Sequence, residues 1–353
     1  MNSNDVISIK STNILLDHFL SLSLKLALKH PTIVVILMHE YFRNMYPTDP
    51  YINTRYSEDI LTNINLCLKN NIQILDAFEK VGSYNAEINL QNTSPKNDIS
   101  RMSNLFGALW QKRFESNVLN SKKVINDLFA ANKLNLSKII KDKHVVDIGC
   151  GSGRFSIALS QLGAKQVTAV DINPQGIALG RKFAKESKIN NVSFIEHNVL
   201  ELPFEDETFD FVFSKGVLHH TGNLDKAIGE YSRVLKKNGH GFLYLYANGG
   251  LYWESRKKMR EIMKLIPMEF SIQVLESIGM PARRTIFVDS WYVPVEDYVK
   301  SEYIEEKFNK LKYRTIQRMK SSRAFELDKI VLENGDWAKD LWGEGELRYF
   351  LKK

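Results

Sequence analysis

Residues 145–153 read Val-Val-Asp-Ile-Gly-Cys-Gly-Ser-Gly, an apolar run that closes on an acid and then on three glycines at alternate positions. The run Val145 to Ile148 has the β-branched character of a buried parallel strand. The glycines let the chain turn sharply into a helix over Arg154–Leu162, and such a turn brings backbone close to a ligand. Working outward, Gln166–Val170 is a second short apolar strand ending in Asp171, and Val192–Glu196 is a third. Phe209–Ser214 is a fourth, Leu224–Leu235 is a helical pattern, and Lys236–Gly241 is a turn into a strand at Phe242–Tyr246. Strands alternating with helical patterns predict an α/β fold, a doubly wound and mostly parallel sheet.

A dinucleotide fingerprint would read G-x-G-x-x-G, whereas Gly149, Gly151 and Gly153 give G-x-G-x-G with Asp147 two residues ahead. That pattern resembles motif I of the class I S-adenosylmethionine (SAM) dependent methyltransferases. Asp171 stands where the family's ribose carboxylate stands, and Ile172 where a side chain lies against adenine. His197-Asn198-Val199-Leu200-Glu201-Leu202-Pro203-Phe204 resembles the adenine-edge loop, with Asn198 in place of the usual acid. Lys215-Gly216-Val217-Leu218-His219-His220-Thr221 resembles the stretch that meets the methionine part of SAM and the substrate. The resemblance implies a seven-stranded doubly wound sheet with a helical N-terminal extension and a helical substrate-side insertion. It also implies SAM as cofactor, S-adenosylhomocysteine as its product, and no metal. The cofactor residues it implies are Asp147, Gly149, Cys150, Gly151, Gly153, Asp171, Ile172, Asn198, Val199 and Lys215.

Methyl transfer from a sulfonium needs a nucleophile held in line and water kept out. A general base matters when the acceptor carries a proton that must leave. His219, His220 and Asp289 are candidates for that base or for an orienting group, with Tyr246 and Tyr292 as donors. The tandem histidines also read as structural. On the substrate side stand Phe106 and Trp110, which equally read as core, together with Trp291, in an Asp-aromatic-Pro stretch, and Arg348. Cys150 reads as a small packing residue, because no neighbouring His or second Cys activates it. Two cysteines without a plausible pair argue for a reducing compartment and against a disulfide framework or zinc site.

At 353 residues the chain exceeds a minimal core of this kind. Residues 1–100 are expected to form a mainly helical cap, lid or dimerisation region, 101–246 the SAM-binding core, 247–300 a helical insertion covering substrate, and 301–353 a C-terminal helix with closing strands. The connection in 307–340 is not legible. Hydrophobic residues at 44% and charged residues at 25% are those of a soluble globular protein. Met1–Ser11 is too polar for a secretory signal, and charges break the apolar stretch Ile14–Met38, so neither a leader nor a membrane span is expected. A cytoplasmic enzyme acting on a small molecule, and a homodimer through the N-terminal helices, are the corresponding expectations. The net charge of +7 raises a second reading, an RNA methyltransferase using the basic stripe Lys307–Arg323 with Tyr313. A third is a SAM-binding subunit without turnover, and a fourth an oxidoreductase on the same core.

Overall fold

The apolar run that opens the reading is strand β1, His144–Ile148, with Val145, Val146 and Ile148 buried. It lies in a computed structural model that describes residues 8–45, 57–81, 114–279, 290–323 and 326–353. Elements are numbered along the chain. The other strands are β2 (Gln166–Asp171), β3 (Val192–Glu196), β4 (Phe209–Lys215), β5 (Leu235–Tyr246), β6 (Thr315–Arg318) and β7 (Glu346–Lys352). They form one seven-stranded sheet of order β3-β2-β1-β4-β5-β7-β6. β1 to β5 pair in parallel, and β7 runs antiparallel to both β5 and β6. The strand order reverses between β1 and β4. In an open α/β sheet, the crevice at the carboxyl ends of such a pair is where ligands bind.

The chain divides into two units by contact. The sheet unit takes residues 95–247, 294–324 and 344–353. Its core gathers on Phe129 of helix α4 (Phe114–Ala131), whose ring lies 5.8 Å from Phe242 and 6.1 Å from Phe350. Phe213 stacks on Phe242 at 5.0 Å. Leu136 and Ile140, at the two ends of α5 (Leu136–Ile140), are buried in the same core. The crossovers are α6 (Arg154–Gln161), α7 (Pro174–Glu186) and α8 (Leu224–Val234), and α11 (Ser301–Lys310) follows later. Their starts are written locally. Asn173 accepts from the amides of Gln175 and Gly176 with Pro174 in the first turn, and Asn223 accepts from the amide of Lys226.

The helical unit takes residues 1–94, 248–293 and 325–343. It comprises α1 (Ile9–Leu26), α2 (Pro31–Met45), α3 (Ser57–Val81), α9 (Gly250–Met263), α10 (Met268–Ser277), helical residues 290–292, α12 (Leu327–Asn334) and α13 (Asp336–Trp342). Phe42 of α2 packs edge-on to Trp291 at 5.1 Å and against Tyr252 of α9 at 5.9 Å. Asp17 pairs with Lys258 at 2.6 Å, and the Trp342 indole donates to the Met45 carbonyl at 2.9 Å. The units therefore do not follow the chain serially. The N-terminal helices group with 248–293 and 325–343.

One strand departs from expectation. β5 begins at Leu235, directly after α8, and the expected turn at Lys236–Gly241 is an excursion within it. Phe209 faces Leu235 but Phe211 faces His240, and Asn238 takes a left-handed φ of 63° to absorb the extra length. The region 307–340 holds the end of α11, strand β6, α12 and most of α13. The polar stretch Ser83–Ser100 lies outside the described residues. Among the described residues no helix is long and apolar enough to cross a membrane.

Candidate functional site

The turn after β1 is held by the neighbouring strand. The amides of Gly149 and Cys150 both donate to the Val170 carbonyl, at 2.7 and 2.9 Å. Gly149 and Gly153 adopt φ of 76° and 80°. A Cβ on Gly149 would stand 2.3 Å from Val217 Cγ1, and one on Gly153 would stand 2.3 Å from Phe194 Cε1. Glycine is required at both positions for space as well as for torsion. Cys150 is buried and burial pushes its thiol up, which suits packing rather than nucleophilic attack.

Two carboxyls flank the turn. Asp147, at the end of β1, is buried and accepts from the Ser156 hydroxyl at 2.6 Å. Burial lifts it to about 7; Ser156 and Arg154 pull it down, and the neighbouring Asp171 adds to the rise. Asp171, at the end of β2, accepts from the Gly151 amide at 2.7 Å through Oδ2 and from the Asn173 amide at 2.9 Å through Oδ1. Burial raises it as well, against the backbone donors that lower it. A carboxylate has roughly four acceptor positions, so Asp171 has capacity left for a vicinal diol. Two acids with raised affinity for protons, beside a glycine turn at a strand-order reversal, fit a cationic nucleoside such as SAM.

The adenine side follows in part. Val199 is buried and Ile172 half-buried. Asn198 Oδ1 accepts from the Leu200 amide at 2.9 Å. Its oxygen thus keeps one lone pair, and its NH2 is the group able to donate to a ring nitrogen. The Lys215 ammonium lies 4.8 Å from the Tyr244 ring centre and 5.4 Å from that of Phe155. The Arg154 guanidinium is 4.7 Å from the Phe155 ring. Both cations thus lie over aromatic faces, and burial lowers the proton affinity of Arg154.

The end of β4 continues into a single 3-10 turn, Leu218–His220, which brings three of the candidate catalytic side chains together. The rings of His219 and His220 are 4.1 Å apart, and Tyr246 at the end of β5 is 4.1 Å from His219 and edge-on to His220 at 5.5 Å. Across them runs the segment 294–300. The Asp297 amide donates to the His219 carbonyl at 2.7 Å, and His220 Nδ1 is 2.8 Å from the Val295 carbonyl. Asp297 did not emerge from the sequence; its carboxyl is raised by burial and lowered by the nearby His220. Ser156 was also missed, although its place one turn into the helix after the glycines was a readable signal.

The remaining candidates are placed elsewhere. Arg348 on β7 is buried, paired with Glu346 at 2.5 Å, and Glu346 accepts from the Tyr244 hydroxyl at 2.7 Å. Trp291 and Tyr292 belong to the helical unit, where Trp291 is buried and the Tyr292 hydroxyl meets Ser271 Oγ at 2.6 Å. Phe106, Trp110 and Asp289 lie outside the described residues. Several cations of the basic stripe have defined partners. Lys307 pairs with Asp225 at 2.6 Å, Arg314 donates to Asn238 at 2.8 Å, and Arg318 donates to the carbonyls of Glu344 and Glu346. Tyr313 is buried with its hydroxyl on Ser232, so it presents no face on which a base could stack.

A family profile described as "Methyltransferase domain" matches residues 139–273. A sterol 4-C-methyltransferase of Caenorhabditis elegans is 31% identical over 184 residues, 50% of this chain and 51% of its own length. A demethylmenaquinone methyltransferase of Listeria welshimeri is 32% identical over 108 residues, 30% of this chain and 46% of its own. A candidate protein N5-glutamine methyltransferase of Methanocaldococcus jannaschii is 30% identical over 174 residues, 43% of this chain and 83% of that protein. The chain thus spans about half or less of the first two relatives and most of the third.

Proposed function

The chain belongs to the class I SAM-dependent methyltransferases, and from that premise we propose that it transfers the methyl group of SAM to a small-molecule acceptor. The observation that carries this reading is the pair of carboxyls, Asp147 and Asp171, held on either side of the glycine turn. Asp171 accepts the ribose hydroxyls. Gly149 to Gly153 give the backbone its close approach, Ile172 and Val199 flank the adenine, and Asn198 meets its edge. Lys215 stands toward the methionine end. When bound, SAM supplies a methyl group already activated by a sulfonium, so the chemistry needs no metal. His219, His220 and Tyr246 stand at the ends of β4 and β5 as the acceptor-side groups. Asp289, Tyr292, Trp291, Phe106, Trp110 and Arg348 are not needed for this reading.

Two of the relatives are named for sterol and demethylmenaquinone methylation, which supports a small and largely apolar acceptor. The test is to titrate S-adenosylhomocysteine by calorimetry, then incubate the protein with methyl-labelled SAM and a cell extract separated into metabolites, lipids, protein and RNA. Label in metabolites or lipids is the expected result. Label in protein would instead follow the Methanocaldococcus jannaschii relative's name, label in RNA would revive the basic stripe, and binding without label would make the chain a SAM-binding subunit.

A further inference from the structure

The tandem histidines are not equivalent. His219 is fully buried, whereas His220 keeps 6% of its surface exposed. A carbonyl oxygen can only accept, so the 2.8 Å contact between His220 Nδ1 and the Val295 carbonyl requires the proton to sit on Nδ1. In the neutral ring that leaves Nε2 with its lone pair. The segment 294–300 that supplies this carbonyl is itself tied down, with the Asp297 amide on the His219 carbonyl and the Val299 amide 3.4 Å from the Tyr246 carbonyl. The tautomer is therefore fixed by backbone rather than by a mobile side chain. Titratable groups near His220 include His219 on its own turn, Tyr246 from β5 and Asp297 from the segment.

We propose that His220 is the general base of the methyl transfer, with Nε2 as the accepting atom and the Val295 carbonyl as the group that orients the ring, and hence that the acceptor is a protic nucleophile: a hydroxyl, an N–H or an acidic C–H. This rests on the function proposed above. In the step, the acceptor's electron pair forms the new bond to the methyl carbon. The carbon–sulfur bond breaks with its pair going to sulfur, and the acceptor's proton passes to Nε2. The resulting imidazolium donates Nδ1–H to the Val295 carbonyl, then releases the proton to water. Thioethers and tertiary amines, which have no proton to lose, would gain nothing from this arrangement.

The first test reads the ring directly. In the full-length protein labelled with 15N-histidine, the resonances lost in His220→Asn identify the ring, and the expected pattern is a protonated Nδ1 with an unprotonated Nε2. A proton on Nε2 overturns the proposal whatever the activity. His220→Asn is chosen because its amide N–H can still reach the Val295 carbonyl. With labelled SAM and the extract fraction that takes up label, its rate should fall about 100-fold or more, while affinity for S-adenosylhomocysteine is unchanged. A rate equal to the parent's overturns the proposal.

Mass spectrometry of the product should show a net gain of one methylene, methyl in and proton out; a gain of a whole methyl cation overturns the acceptor class. Absence of S-adenosylhomocysteine binding by the parent is a different failure, that of the cofactor reading itself.

Discussion

Removing the Asp171 carboxylate tests the cofactor placement most directly. Two of its acceptor positions are taken by the amides of Gly151 and Asn173, at 2.7 and 2.9 Å, and about two remain for a ribose diol. Hydrogen bonds to a charged group contribute about 1.5–3 kcal/mol each. Burial already raises this carboxyl, so part of that gain goes into keeping it ionised. A net loss of about 3 kcal/mol for Asp171→Ala corresponds to about two orders of magnitude in Kd for S-adenosylhomocysteine. Asp171→Asn keeps one oxygen for a backbone amide and should weaken binding by about tenfold. Because Asp171→Ala also strips the Gly151 amide of its acceptor, a modest drop in the stability of the free protein should accompany it, seen in urea unfolding. Calorimetry on variants shown to be folded decides the matter. Affinity within about twofold of the parent in both variants would mean that the nucleoside does not lie against Asp171.

Other outcomes follow from the same geometry. The Asp147 carboxyl titrates at about 7 in the fold, above its ordinary 3.8. Its contribution to stability is therefore full below the unfolded value and is lost as pH rises through about 7. Asp147→Asn should flatten that loss, read as urea midpoints across the range. Gly153→Ala forces a side chain into a left-handed φ and onto the Phe194 ring, and should destabilise by about 2–4 kcal/mol, seen as a lower unfolding midpoint. Arg260 donates to the carbonyls of Ser290 and Val293 from a buried position. Arg260→Met leaves both without a donor and should cost about 2–4 kcal/mol in urea unfolding, with Arg260→Lys recovering only part because an ammonium is not a fork.

The sheet was legible because parallel strands write themselves as short apolar runs, most fully in the buried β1 and β4, and β1 to β4 stand within a residue of where those runs place them. The glycine turn was legible for a similar reason: the torsions at Gly149 and Gly153 admit almost nothing else. The partners of the N-terminal helices were not. Helical periodicity says which face is apolar, not which helix covers it, and the Asp17–Lys258 pair joins residues that no local pattern connects. Asp297 escaped for the same reason. Its relation to His220 exists only because 294–300 crosses the end of β5, and an acid between Glu296 and Tyr298 carries no mark of that. The partners of Lys307, Arg314 and Arg318 in the basic stripe, namely Asp225, Asn238 and the carbonyls of Glu344 and Glu346, were equally hidden, since no local pattern announces them.

The split make-up of the helical unit sets a timetable for the newborn chain. The Met45 carbonyl meets its donor, the Trp342 indole, only 297 residues later, and Asp17 waits 241 residues for Lys258. At about 5–20 residues per second, the longer interval is roughly a quarter of a minute to a minute. Within it, α3 (Ser57–Val81) packs on α1 and α2 soon after they emerge, whereas the contacts that α9 and α10 add to them wait for residues 250–277. The entropy of closing so long a loop grows only logarithmically and is no obstacle to the final state. The vulnerable quantity is time on the ribosome. A chain stopped before the Asp336–Trp342 helix would lack the indole that caps the Met45 carbonyl, although α3 would already lie against α1 and α2.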